Sequence, residues 1–279
     1  MQSNTKLWSR LGLTTALSAG LIGAGCAAET ETAMPETPTA DAPMSQMSGP
    51  EAPALAGEAG EGEGGVSIAQ ASTDPVVFRS VLAITEAHLI AGRDAYAEGR
   101  TDAAGEMFAH PVSEVLAEME PIFRDRGVDD FTDMLLDASD AAYSGVPSED
   151  IAARVAAIIA TLRKVEASAP DNGMSEGEIA ARVVADQIDR AADMYGVAQG
   201  SDAYEPYLDG YGFYKAALAV RDDHMAAIVR ATSERTQTTM QAALDLLDTA
   251  YPTASRPETL GSESGRLRAA ASSLMLSLG

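Results

Sequence analysis

This chain has one cysteine, one tryptophan and three histidines in 279 residues, and aromatic residues make up only 5% of it. A single cysteine excludes an intramolecular disulfide, so the core must hold by packing alone. β-Branched runs are short, and no series of alternating segments bounded by turn residues occurs, which excludes a strand meander. Basic residues are scarce: 19 Lys and Arg stand against 42 Asp and Glu, for a net charge of −23. Binding phosphates takes clusters of Lys and Arg, so nucleic acid is excluded as a partner. A metal ion or another cation suits this surface better. Motifs of catalysis are missing as well. There is no nucleophile elbow, no glycine-rich phosphate loop and no dinucleotide fingerprint. Neither HExxH nor the Glu-x-x-His of di-iron bundles occurs. The expectation is a binding protein and not an enzyme.

The one cysteine has an informative setting. Lys6 and Arg10 precede a short apolar run from Leu11 to Ile22, and Gly23-Ala24-Gly25 lead into Cys26. The run is too short to span a bilayer and has the layout of an export signal. GAGC resembles the lipobox of bacterial lipoproteins, although Gly23 stands where that motif usually has Leu. The resemblance implies that residues 1–25 are a signal peptide and that Cys26 is lipidated. It implies anchoring in the bacterial cell envelope, with Ala27 pointing to the periplasmic face of the outer membrane. Residues 26–72 are rich in Pro, Gly, Ala, Ser, Thr and Glu and show no periodic apolar face. Such a segment gains too little burial to offset its ordering entropy and reads as a disordered tether. Its methionines, Met34, Met44 and Met47, offer soft thioether ligands for copper, but the plainer reading is that they are incidental.

Residues 73–279 carry the helical signal. Apolar residues recur at helical spacing through Val77, Val81, Ile84 and Leu89, and after Gly99 through Met107, Val115, Leu116 and Met119. The stretch 76–126 therefore reads as two antiparallel helices turning at Gly99, with Pro111 opening a new helix after a break. Further helices follow near Asp129, at Ile151, after a Ser175/Glu178 capping box, and at the C-terminus over Gly265–Leu278. Residues 201–214, SDAYEPYLDGYGFY, read as an aromatic elbow entering one long helix that runs to Pro252. The predicted fold is an all-α antiparallel bundle, or short coiled coil, of about five to seven helices.

Candidate site residues are few. His88 and His110 each lie eleven residues from Gly99, about 16 Å along their helices, so a regular hairpin sets them at one height. Glu114 follows His110 at i+4. With His224 these residues form a candidate mixed N/O site for Fe, Zn or Cu. The plainer alternative is three scattered histidines, each satisfied or on the surface. Tyr204, Tyr207, Tyr211 and Tyr214 make a candidate ligand or partner surface, against the simpler role of packing.

The stretch from VVADQIDRAADMYG to DAYEPYLDGYGFYKAAL, with its YxxxxGFxxxA pattern at Tyr207–Ala217, resembles imelysin-like, iron-regulated periplasmic helical proteins. That resemblance implies an exported helical bundle linked to iron or haem uptake. The family's Gly-x-His-x-x-Glu motif is missing, because no histidine here has Glu three residues on. Two functions are therefore expected. One is a lipid-anchored binding protein associated with uptake of iron or another metal ion. The other is a structural lipoprotein docking onto a membrane-complex protein through an exposed apolar or aromatic patch.

Overall fold

The computed structural model describes residues 67–279, and every regular element among them is helical. The signal-like segment, Cys26 and nearly all of the expected tether lie outside the described residues. The folded region starts slightly earlier than the composition suggests. A single helical turn, α1 (Ile68–Ala71), buries Ala71, and Arg126 donates to the Ser72 carbonyl at 2.7 Å.

The bundle is organised around α2 (Pro75–Ala97). Asp74 caps it by accepting from the Val76 N–H, and Pro75 occupies the first helical position, where a missing N–H costs nothing. Its sequence is apolar nearly all round, with mean hydropathy 1.3 over an 18-residue window, enough in length and composition to cross a membrane. Here 83% of that window is buried inside the bundle, as expected of a helix surrounded by other helices. Phe78, Leu82, Ile84 and Leu89 are wholly enclosed, and each such side chain contributes about 1.5–3 kcal/mol.

Gly99, at φ 82°, turns the chain into α3 (Thr101–Pro111). Pro111 does not end that helix. Lacking an N–H, and crowding the carbonyl four residues back, it is absorbed by a π-helical turn over Val112–Leu116. The Ala117 N–H reaches back five residues to the Val112 carbonyl, and α4 (Ala117–Asp125) continues the rod. The expected break at Pro111 is thus a widening of one continuous helix.

α5 (Thr132–Tyr143) and α6 (Ser148–Val165) pack on this hairpin, and α7 (Glu176–Gln199) begins with the Ser175/Glu178 capping box. α8 (Glu205–Ala231) lies along both α7 and α2. It includes the whole YLDGYGFY run, so the expected elbow is helical from Glu205 onward. The expected long helix then divides at Thr232, whose backbone is extended, and Ser233 caps α9 (Glu234–Ala250). α10 (Ser264–Ser277) closes the bundle against α7 and α9. With the two halves of the α3–α4 rod counted together, eight long helical rods stand among the described residues.

Two glycines draw the helices around the site together. A Cβ on Gly212 would lie 2.5 Å from the Ala87 carbonyl oxygen, so glycine there lets α8 touch the α2 backbone beside His88. A Cβ on Gly92 would lie 2.6 Å from the Phe108 ring, which fixes how closely α3 approaches α2.

Candidate metal centre

His88 sits on the buried flank of α2, with 5% of its surface exposed. Its Nδ1 lies 2.8 Å from the Ile84 carbonyl, one turn back. A carbonyl only accepts, so Nδ1 carries the proton and Nε2 presents its lone pair to the interior. Burial lowers the pKa of the ring, against the opposing effects of the Ile84 bond and of the Glu114 charge. His88 is therefore held neutral, the state that binds metals.

His110 comes from the last turn of α3, and its ring stands edge-on to His88 with centroids 6.0 Å apart. The hairpin thus sets the two histidines together. Glu114, in the π turn, lies between them: Oε2 is 3.8 Å from His88 Nε2 and Oε1 is 3.7 Å from His110 Nδ1. α8 supplies two more carboxylates. Asp209 Oδ1 is 3.8 Å from His88 Nε2, and Glu205 Oε1 is 3.9 Å from His110 Nδ1. Phe213 closes the apolar side, edge-on to His88 at 6.0 Å.

Asp209 is the most constrained member. Its side chain is 18% accessible, but the inward oxygen, Oδ1, is fully enclosed and has no hydrogen-bond partner. Burial, and then the Glu205 charge, push its pKa up to about 7. An enclosed carboxylate oxygen without a donor costs free energy unless a cation occupies the space before it. One ligand atom each from His88, His110 and Asp209 lies within 4.8 Å of the others, a spacing that a single ion can satisfy.

His224 does not join this group. It lies on α8 fifteen residues beyond Asp209, about 22 Å along the helix. Its partners are Glu166, 3.6 Å from Nε2, and Glu176, 3.1 Å from Nδ1. These belong to a separate ion-pair network. In it Arg163 binds the buried Glu86 at 2.7 Å, Asp223 at 2.8 Å and Glu166 at 3.0 Å. Arg79 grips Glu176 through both guanidinium nitrogens.

The four tyrosines do not form a surface either. Tyr207, Tyr211 and Tyr214 are buried and Tyr204 is half-buried. Every hydroxyl has a protein partner: Tyr204 donates to Ala254, Tyr207 to Thr253, Tyr211 to Asp94 and Tyr214 to Asp248. Burial raises the Tyr204 pKa to about 12. Tyr204 and Tyr207 tie the start of α8 to the loop after α9, Tyr211 ties α8 to α2 and Tyr214 ties it to α9, a packing role.

Sequence reasoning missed Glu205 and Asp209. Their i,i+4 spacing would have placed them on one helical face, but the surrounding Pro206, Gly210 and Gly212 made the segment read as irregular. No family model, curated protein or solved structure matches this chain.

Proposed function

We propose that this protein is a metal-binding helical bundle whose ligands are His88, His110, Glu114, Glu205 and Asp209. The observation that carries the reading is the enclosed, unpartnered Asp209 Oδ1, 3.8 Å from the free lone pair of His88 Nε2. Two imidazoles with carboxylates suit borderline first-row ions such as Fe(II) and Zn(II). Cu(I) favours sulfur ligands, which this set lacks. The Ile84 carbonyl orients His88 as outer-shell groups orient metal-ligating histidines.

The same reading includes the N-terminal segment. A signal-like sequence ending at Cys26 supports a lipid-anchored protein of the bacterial envelope, with the bundle carried on residues 26–72. An acidic domain held at a membrane suits capture or hand-over of cations during metal-ion uptake. The alternative, docking onto a membrane-complex protein through an exposed apolar or aromatic patch, does not gain the tyrosines as support, because Tyr207, Tyr211 and Tyr214 are buried.

The test is metal loading of the purified full chain. Protein stripped with chelator is dialysed against micromolar Fe(II) under anaerobic conditions, or against Zn(II), and bound metal is quantified. The expected result is stoichiometric binding in wild type and none when His88→Ala and Asp209→Asn are combined. Wild-type protein that stays metal-free would overturn the reading.

A further inference from the structure

The five ligands are not arranged evenly around one point. Glu114 aims its two oxygens at different histidines, Oε2 at His88 and Oε1 at His110. Each histidine has a carboxylate of its own from α8: Asp209 beside His88 and Glu205 beside His110. The donors fall into two sets of three: His88 Nε2, Glu114 Oε2 and Asp209 Oδ1, then His110 Nδ1, Glu114 Oε1 and Glu205 Oε1.

Two ligands on one ion, each bonded at about 2.1 Å, are separated by about 3 Å when adjacent and about 4.2 Å when opposite. The histidine–carboxylate distances within the two sets run from 3.7 to 3.9 Å, inside that window. A carboxylate that gives one oxygen to each of two ions holds them about 3.5–4 Å apart, the usual spacing of two-metal sites.

Resting on the metal-binding reading above, we propose that the site holds two divalent first-row ions bridged by Glu114, one enclosed between His88 and Asp209 and one at the solvent edge between His110 and Glu205. The two positions differ in access. His88 is buried, whereas the Glu205 side chain is 61% exposed. The outer ion is therefore the exchangeable one, and the inner ion enters and leaves through its position. The ligands come from α2, from the α3–α4 rod and from α8, so filling both positions ties three helices together. The π turn after Pro111 serves this arrangement, because it sets Glu114 between two histidines that belong to different helices.

The experiment uses Mn(II) as the probe, on the full chain after chelator treatment. Bound manganese is counted after desalting, and the electron paramagnetic resonance spectrum is recorded. Wild type is expected to hold two ions per chain with an exchange-coupled spectrum. Glu205→Gln, at an exposed position that leaves the fold intact, is expected to hold one ion with an isolated-ion spectrum. Two uncoupled ions, one ion in both proteins, or two ions in both would overturn the bridged pair. No bound ion in wild type would overturn the metal-binding reading itself, so the two failures are distinguishable.

Discussion

At its N-terminal end α8 sets Glu205 and Asp209 against His88, His110 and Glu114, while further along it sets Asp223 and His224 against Glu86, Glu166 and Glu176. Both regions mix histidines with carboxylates, and both draw on α2. They differ in counter-charge. The second region contains Arg163, forked across Glu86 and shared with Glu166 and Asp223, and Arg79 on Glu176. Burial raises the Glu86 pKa and Arg163 opposes that rise, while the Arg163 pKa is raised by Glu86 against its own desolvation. In the first region no arginine bridges the carboxylates: among the described residues the ion pairs of Glu114, Glu205 and Asp209 are with histidines, and Arg190, which pairs with Asp186, reaches the site as a charge near His88 and over the Phe213 ring. A cluster that supplies its own cations is a structural clamp. Both regions enclose a carboxylate oxygen that accepts no hydrogen bond, but Glu86 Oε2 lies 2.7 Å from the Arg163 guanidinium, whereas Asp209 Oδ1 faces the His88 ring at 3.8 Å and leaves room for a cation from outside.

The largest effect that separates the two regions concerns Arg163. Arg163→Met leaves the Glu86 carboxylate, 2% exposed, without its partner, and removing one member of a buried pair costs about 3–5 kcal/mol. Chemical denaturation should show that loss, while metal stoichiometry stays as in wild type. Lost metal binding with unchanged stability would erase the distinction. The converse experiment is Asp209→Asn. Metal affinity is expected to fall at least ~100-fold, which is about 2.7 kcal/mol. Metal-free stability should hold or rise, because an amide does not carry the desolvation cost of an enclosed carboxylate. A metal-free variant much less stable than wild type would show Asp209 to be structural.

The helix contacts give the next pair. Gly212→Ala drives a Cβ to 2.5 Å from the Ala87 carbonyl, and Gly177→Ala drives one to 2.1 Å from the Ala227 carbonyl. Each requires a backbone shift costing about 1–3 kcal/mol. Both variants should melt earlier, but only Gly212→Ala separates α8 from α2 beside His88 and should also weaken metal binding. Equal affinities in the two variants would show that the site tolerates movement of α8. A smaller effect is expected for Pro111→Ala, which restores the missing N–H and lets the π turn relax to α. Glu114 then rotates away from its place between the histidines, and affinity should drop about tenfold, or about 1.4 kcal/mol.

How much of this was legible depends on what positions each residue. The His88–His110 approach follows from equal spacing about Gly99, because both arms rise at the same rate and the turn is tight. Asp209 and Glu205 were hidden because Pro206, Gly210 and Gly212 are helix breakers in isolation. In the fold, Pro206 falls in the first turn, where its missing N–H is harmless, and the glycines admit neighbouring helices. The split between α8 and α9 carries no glycine or proline, only the Ser233 cap, so periodicity ran straight through it. His224 was grouped with the other histidines because sequence shows residue type but not the length of helix between sites. The tyrosines misled for a related reason: a polar tip looks available until its partner carbonyl, from a loop some fifty residues on, is known.

The smallest expected effect is the part of the pH dependence that comes from His224 in the arginine-containing region, which the difference between wild type and a His224 variant isolates. Hydrogen bonding to Glu166 raises the His224 pKa above its usual value, with the charges of Glu166 and Glu176 assisting and with burial and Arg79 opposing. Protonated His224 thus binds more favourably in the folded than in the unfolded chain. Its contribution is fully present below the unfolded pKa, near 6.5, and is lost as pH rises through the higher folded value. The groups around it are Glu166, Glu176, Arg79, Arg163 and Asp223. Because part of this network is open to solvent, the effect should be about 1 kcal/mol or less. Thermal unfolding of metal-free wild type and His224→Gln between about pH 5.5 and 8.5 measures it. The wild type should be the more stable protein at the acid end, and the gap should close towards the alkaline end. A gap that widens with pH would mean that His224 is held neutral, and the clamp would then rest on the arginines alone.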